Sequence, residues 1–562
     1  MKQLIECVPN FSEGRDARII QQITHEISSI EGIKLLDVDS GKATNRTVVT
    51  FVGRPQEVVE AAFLGIKKAA ELIDMTKHRG EHPRMGATDV CPFIPISGIS
   101  MEETVMYSKK LAKRVGEELG ISVFLYEAAA TDSRWKNLAA IRSGEYEQME
   151  AKLQRNDFNP DFGPKVLNKT AGVTAIGSRD FLIAYNVNLN TTSVRRANAV
   201  AFDVREKGRV KRDGHPVKGK IVRDAEGKAL RVPGACKAVK GIAWFIEEYG
   251  IAQVSMNLTN IRETPLHIAF EECCKSAIRR GLRVTGSELV GLVPLSVILD
   301  AGKYFLRKQK RSVGVSEAEL IKIAVKTMGL DELSTFDPKK RIIDYLLKDA
   351  NATPLLNMNL RAFADETASE SPAPGGGSIA AYVGALGISL GTMVANLSAH
   401  KRGWEERWEE FSNWATKGQT IKDQLFAMVD EDTNAFNKVM ATLRLPKATA
   451  EERAHRTKAI QEATKYAVVV PLKVMQLCLD CIEVLSAMAE TGNPNSISDA
   501  GVGILCARAA LRGAFMNVKI NLGAIKDELW VEETLAKGRE MEKTMELAEQ
   551  KIVTIVEANF LS

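Results

Sequence analysis

The chain has 562 residues, 45% of them hydrophobic and 26% charged, and carries a net charge of +5. That length exceeds what one hydrophobic core organises, so two to four domains are expected, and the balance excludes a disordered or collagen-like chain. Too few apolar residues precede Pro9 for a secretory segment, and no uninterrupted apolar run of about 18 residues occurs, which predicts a cytoplasmic chain that does not span a membrane.

Leu4 to Val8 reads as a strand, and Ile19, Ile20, Ile23, Ile27 and Ile30 form a helical stripe. IKLLDVD (33–39) and RTVVTFVG (46–53) read as paired strands, Pro55 opens a helix to about Asp74, and TDVCPFIPI (88–96) is again a strand. The order βαββαβ predicts a ferredoxin-like (split βαβ) subdomain over 1–180, followed by the loop DFGPKVLNKTAGVTAIGSRD (161–180) between subdomains. From FLIAYNVNL (181–189) a comparable order begins again, predicting a second such subdomain over 181–349, packed beside the first with a ligand groove between the sheets. After about residue 315 the strand signal ends. Residues 350–357 read as a linker, and PAPGGGS (372–378) breaks the chain before a helix rich in small residues. Residues 358–562 follow the 3.6-residue period throughout and are expected to form a helical bundle, so the fold class is α/β plus all-α.

The eight cysteines show no framework spacing and read as reduced thiols. Cys478 and Cys481 form a C-x-x-C, but helical periodicity surrounds them and no second pair stands nearby, so core packing is the reading and no metal is expected. The basic stretches KGRVKRDGHPVKGK (207–220) and RKQKR (307–311) read as a solvated hairpin and a helix end, or else as a dock for a polyanion.

Two of the seven histidines fall in KHRGEHPRMGATD (77–89), among Lys77, Arg79 and Arg84. His82 precedes Pro83, which holds it in extended backbone and suits an aimed base; the alternative is a polar surface loop with a structural histidine. Asp37 and Asp39 share a strand face and could orient such a base or sit at a core edge, and Asn45 and Arg46 follow in the turn, where they could grip a carboxylate. In 161–180, Gly163, Gly172 and Gly177 would let backbone amides approach a flat ligand.

On the helix KDQLFAMVDEDTNAFNKVM (422–440), Leu425, Met428, Val429, Phe436 and Val439 mark a stripe on which Asp432 lies, whereas Asp430 falls off it and is expected in solvent. An inward carboxylate without a partner tends to stay protonated, as a general acid near neutral pH requires; the alternative is a buried ion pair with a lysine. TGNPNSISDAGVG (491–503) reads as a turn and helix start, with Ser498 as a cap and Asp499 in the first turn. That loop and PAPGGGS are expected to close over a pocket beside Asp432.

CVPNFSEGRD, DVDSGKATNRTVVTFVG, HPRMGATDVCPFIP, PDFGP, AQVSMNLTN and GLRVTGSELVGLVPL in the front half, with PAPGGGS, VDEDTNAF and SISDAGVG in the back half, give the chain a resemblance over essentially its whole length to the bifunctional formimidoyltransferase-cyclodeaminases. The resemblance implies transfer of the formimino group from N-formimino-L-glutamate to tetrahydrofolate, then closure to 5,10-methenyltetrahydrofolate with loss of ammonia, two steps of histidine breakdown. It implies that His82 is the transferase base and that Asp432 is the cyclodeaminase aspartate, and of the two strand-face carboxylates Asp39 is expected to orient His82 or the substrate. The folate segment falls on Gly163, Pro164, Lys165, Val166, Leu167, Asn168, Lys169, Thr170, Ala171 and Gly172. It also implies a polyglutamylated folate substrate, no metal, no nucleic-acid or membrane partner, and a homo-oligomer of the octameric kind. The rival readings are a chain with only one active half, or a polyanion-binding scaffold, which the lack of aromatics among the basic runs disfavours.

Overall fold

The computed structural model describes residues 3–42, 44–80, 83–215, 218–347 and 355–560. They group into two compact units, Met1–Val297 with Met328–Leu346, and Ile298–Thr327 with Leu347–Ser562. Of the expected linker, 350–354 lies outside the described residues.

In the first unit, β1 (Leu4–Cys7), α1 (Ala17–Ser28), β2 (Lys34–Gly41), β3 (Arg46–Gly53), α2 (Pro55–Leu72) and β4 (Thr88–Ser97) follow the predicted order. Alternation explains the layering: Ile5, Cys7, Val49, Phe51, Cys91 and Phe93 are buried together with Ile23 and Ile27 of α1 and Val58, Val59 and Ile66 of α2. Beyond β4 come α3 (Met101–Leu119), β5 (Ser122–Glu127) and β6 (Val173–Ser178). The antiparallel strands β2-β3-β1-β4 continue through parallel β6 into β5. Residues 173–178, expected in an intersubdomain loop, are therefore a strand between β4 and β5. VTAIGS is short and completely buried, and its backbone is satisfied only by pairing on both sides.

The second sheet is built from β7 (Ile183–Leu189), α4 (Val194–Val204), β8 (Val239–Ile246), β9 (Ile251–Leu258), α5 (Leu266–Ile278) and β10 (Val284–Val290), in the antiparallel order β8-β9-β7-β10. Tyr185, Val187, Leu189, Val254, Met256 and Leu258 are buried. The alternate positions carry an amide ladder, in which Gln253 donates to Asn188 at 2.8 Å and Asn186 donates to Glu288 at 3.2 Å.

Glu6 shows what sheet alternation imposes on a charged residue. It stands between Ile5 and Cys7, is 4% exposed, and burial raises its pKa to about 7, with Arg179 opposing. A carboxyl whose pKa is higher in the folded than in the unfolded chain contributes its full stability below the unfolded value and loses it as pH rises through 7. We expect Glu6→Gln to raise the melting temperature at pH 8 and leave it unchanged at pH 5, for a difference on the order of 3 kcal/mol at most. Equal shifts at both pH values would remove the ionised carboxylate as the cause.

In the second unit α6 (Leu295–Lys308) continues from the first, and α7 (Glu317–Met328) follows. Leu306, Val313 and Leu320 cluster there. The boundary expected near 349 therefore differs from the observed grouping. Ser312 N–H donates to His400 Nε2 at 3.2 Å, Val313 N–H donates to Ser412 Oγ at 3.0 Å, and Asn396 donates to the Gly314 carbonyl at 2.8 Å. A short helical hairpin with so small a core buries its apolar side only against longer helices.

Those longer helices are α8 (Gly376–Ala399), α9 (Trp408–Leu443), α10 (Ala450–Thr491), α11 (Ile497–Leu522) and α12 (Glu528–Phe560). α8 packs on α9 and α11, α10 packs on the same two, and α12 packs on α10 and α11. α8 and α11 touch backbone to backbone, since a Cβ on Gly387 would stand 2.7 Å from the Gly503 carbonyl oxygen. By length and composition α8 is apolar enough to cross a membrane, and more than half of it is buried by its neighbours.

Candidate active sites

The loop before β4 is organised around a histidine, but that residue is His78. It is 6% exposed, its Nε2 lies 2.9 Å from the Asn45 carbonyl oxygen, and Arg84 Nε donates to its Nδ1 at 3.3 Å. An Nε2–H tautomer satisfies both contacts, and burial lowers the pKa, so His78 is a neutral structural ring. Buried Arg84 is held bidentately by Glu147 at 2.6 and 2.9 Å and by Glu145 at 2.8 Å. His82 lies outside the described residues. Its surroundings are nevertheless anchored on both sides, by His78 and Arg79 before it and by Arg84 and Met85 after it.

Asn45 is a tie in this loop. In a left-handed conformation with φ of 48°, it accepts from Gly14 N–H at 3.1 Å and donates to the Arg79 carbonyl at 2.9 Å. Its amide is thereby occupied by backbone, which corrects the expectation that it grips a carboxylate. Arg46 is largely buried, and burial lowers its pKa to about 10 against the opposing pull of Asp89 and Asp39.

Asp37 and Asp39 line a cavity of about 360 Å³, whose other walls include Glu288 of β10 and Lys340 and Arg341. Burial raises the Asp37 pKa, the neighbouring Asp39 raises it further, and Arg341 opposes both. No local signal marked Glu288, Lys340 or Arg341, because they stand roughly 250 to 300 residues away from the aspartates.

The segment 163–172 is a loop pinned at its ends. Ser122 Oγ donates to the Pro164 carbonyl at 2.7 Å, Gly172 N–H donates to the Asn168 carbonyl at 2.7 Å, and the Asn168 side chain accepts from Ala171 N–H at 3.0 Å. Gly163 and Gly172 adopt φ of 82° and 71°. Pro164, Lys165, Val166, Lys169 and Thr170 are exposed, Leu167 is half-buried, and Ala171 and Gly172 are buried. Gly172 bridges Gly86, and Val173 N–H donates to the Met85 carbonyl at 2.9 Å, so the segment runs beside the residues that follow His82.

In the helical unit, Asp432 sits over the first turn of α8. Its Oδ2 accepts from Ser378 N–H at 3.0 Å and from Ser378 Oγ at 3.3 Å. Gly377 makes the approach possible, since a Cβ there would stand 2.1 Å from Asp432 Oδ1. Burial raises the Asp432 pKa, and the two bonds from Ser378 oppose the rise. Among the described residues its carboxylate forms no ion pair, so the lysine partner is not the arrangement found. Asn517 of α11 lies near Gly376 on the other side of this turn.

Four expectations fail in this unit. Asp430, expected in solvent, is 4% exposed and accepts from Leu355 N–H at 3.0 Å, and burial raises its pKa. Phe436, assigned to the buried stripe, is 42% exposed. The stripe argument assumes one buried face, whereas α9 also carries the 355–356 segment on a second face. The 491–503 loop does not reach Asp432. Asn493 N–H donates to Ser398 Oγ near the end of α8, 21 residues beyond Gly377 and roughly 30 Å along the helix. α11 begins at Ile497, so Ser498 lies inside the helix and is not its cap.

Residues 4–179 match the family described as the formiminotransferase domain, N-terminal subdomain, residues 184–348 match the formiminotransferase domain, and residues 359–540 match formiminotransferase-cyclodeaminase. Formimidoyltransferase-cyclodeaminase of Dictyostelium discoideum is 44% identical over 558 residues, covering 99% of each chain. Glutamate formimidoyltransferase of Thermoplasma acidophilum is 44% identical over 306 residues, 54% of this chain and 92% of that protein. Methenyltetrahydrofolate cyclohydrolase of Methylorubrum extorquens is 41% identical over 179 residues, 32% of this chain and 86% of that protein.

Proposed function

The chain belongs to the formimidoyltransferase-cyclodeaminase family, and on that premise we propose how its residues divide two reactions. The protein transfers the formimino group from N-formimino-L-glutamate to tetrahydrofolate, releasing L-glutamate, and then cyclises 5-formiminotetrahydrofolate to 5,10-methenyltetrahydrofolate with release of ammonia. The observation that carries both halves is the full-length match at 44% identity to a relative that bears both names.

In the transfer, N5 of the folate attacks the amidine carbon, the bond from that carbon to the glutamate nitrogen breaks, and the nitrogen leaves with a proton. His82 serves as the base and acid, with Asp39 orienting the ring or the substrate. The loop from Gly163 to Gly172 receives the pterin, supported by its course beside Met85 and Gly86 and by its exposed backbone. In the cyclisation, N10 closes on the same carbon and the amine departs with a proton as ammonia. Asp432 delivers that proton, supported by its half-buried position, its raised pKa and its lack of an ion-pair partner among the described residues.

The strand orders β2-β3-β1-β4 and β8-β9-β7-β10 support a split-βαβ assignment for both sheets. A place in histidine breakdown, a cytoplasmic location, a polyglutamylated folate and a homo-oligomer belong to the same reading. All eight cysteines being free thiols supports the reducing location. The deciding experiment supplies formiminoglutamate and tetrahydrofolate together and follows methenyltetrahydrofolate by absorbance. Product with stoichiometric ammonia is expected, and its absence would overturn the reading.

Gly377 gives a prediction specific to the second reaction. The methyl group of Gly377→Ala displaces the Asp432 carboxylate, and a shift of about 1 Å in a reacting group can cost about 10²-fold in rate. We expect cyclisation to fall by that order while formimino transfer stays at the parental rate, measured separately with formiminoglutamate and with supplied 5-formiminotetrahydrofolate. Cyclisation at the parental rate would mean that the Asp432 position is not used.

A further inference from the structure

The cavity between β2 and β10 has a charge distribution of which the reaction scheme above uses only Asp39. Asp37 and Asp39 stand on one wall and Glu288 on another, while Lys340 and Arg341 supply two cations. Asp37 and Glu288 are half-buried, and Asn186 donates to Glu288 Oε2 at 3.2 Å, which holds the carboxylate in place. Arg341 acts electrostatically on Asp37, so the two signs lie within one small space. At about 360 Å³ the cavity is at the size of a small-molecule site.

Formiminoglutamate has the complementary pattern. Its amidine is a planar cation with several N–H donors, and its two carboxylates are acceptors for cationic side chains. We propose that this cavity is the formiminoglutamate subsite, with Glu288 and Asp37 holding the amidinium and Arg341 with Lys340 holding the glutamate carboxylates. The assignment rests on the transferase reading. Its location agrees with that chemistry: Asp39 acts on Arg46, and the adjoining Asn45 ties the chain to Arg79, three residues before His82. Glu288 is thereby a specificity residue, selecting a cationic formimino group over an uncharged acyl group on the same glutamate.

The test compares the full-length parent with Glu288→Gln, Glu288→Asp and Arg341→Gln. The readouts are the KM for formiminoglutamate, the KM for tetrahydrofolate, and the Ki of N-formyl-L-glutamate, in which an uncharged carbonyl replaces the amidinium. Loss of one charge-assisted contact should raise the KM for formiminoglutamate about 10–100-fold in Glu288→Gln. The Ki of N-formyl-L-glutamate should stay at the parental value in that variant and rise in Arg341→Gln, which should also raise the KM for formiminoglutamate. The KM for tetrahydrofolate should stay constant throughout, and Glu288→Asp should recover part of the lost affinity. A general collapse of the cavity would raise both the KM and the Ki in Glu288→Gln, and that result would overturn the assignment. An unchanged KM for formiminoglutamate, or a rise confined to tetrahydrofolate, would overturn it as well. Failure of the parent to turn over the two substrates would instead sink the transferase reading itself.

Discussion

His82→Ala is expected to reduce formimino transfer by about 10²–10⁴-fold, the usual contribution of one general acid/base, while cyclisation of supplied 5-formiminotetrahydrofolate continues at the parental rate. The expectation draws on the local arrangement as well as on the family. His78, the other imidazole of the loop, is engaged at both nitrogens and is buried, so it cannot take over the proton transfer. Arg84, bidentate to Glu147, and Asn45, bonded to Arg79, fix the chain on either side of His82. Removing the His82 ring should therefore leave the loop in place, and the melting temperature should not change. His78→Ala is the informative contrast, because it takes away a buried ring and two contacts and should lower the melting temperature along with transfer. Transfer by His82→Ala within about tenfold of the parent would exclude it as the base.

Asp432→Asn should stop ammonia release, so that 5-formiminotetrahydrofolate accumulates when formiminoglutamate and tetrahydrofolate are supplied together. The structure sharpens this expectation. The partner of the carboxylate is Ser378 at the start of α8, through its N–H at 3.0 Å and its hydroxyl at 3.3 Å. An asparagine oxygen can accept the same two bonds, so the bundle should keep its melting temperature while the proton is lost. Breaking a buried ion pair would instead cost about 3–5 kcal/mol and lower stability and activity together. In the parent, a proton donor with a raised pKa makes cyclisation decline as pH rises through that pKa, and the decline should be absent from the residual activity of the variant. A variant that cyclises at the parental rate would remove Asp432 from the mechanism and direct attention to Asp430, the buried carboxylate of α9.

Much of the architecture is legible without coordinates because alternation and the 3.6-residue period are properties of neighbouring residues. β1 to β4, α1, α2 and the bundle helices follow from them, as does the placing of Asp37 and Asp39 on one face. That Asp432 faces the packed side of α9 follows in the same way, from Leu425, Met428 and Val429. β6 was missed because its short buried run, flanked by glycines, has no alternation to distinguish it from a loop.

The tertiary structure decided what period and motif do not carry. Asp430 is buried because a second segment, around Leu355, crosses a face of α9 that the helix's own pattern leaves polar. The 491–503 loop is far from Asp432 because α11 runs antiparallel to α8, a matter of how two helices pack and not of either sequence alone. Glu288 and Arg341 meet Asp37 across roughly 250 and 300 residues of chain. Sequence by itself determined most of the elements, the main inward face of each and the family, since each is written in a contiguous run of residues. Which charges share a cavity was decided only when β2 and β10 were brought together, because electrostatic complementarity depends on distance in space.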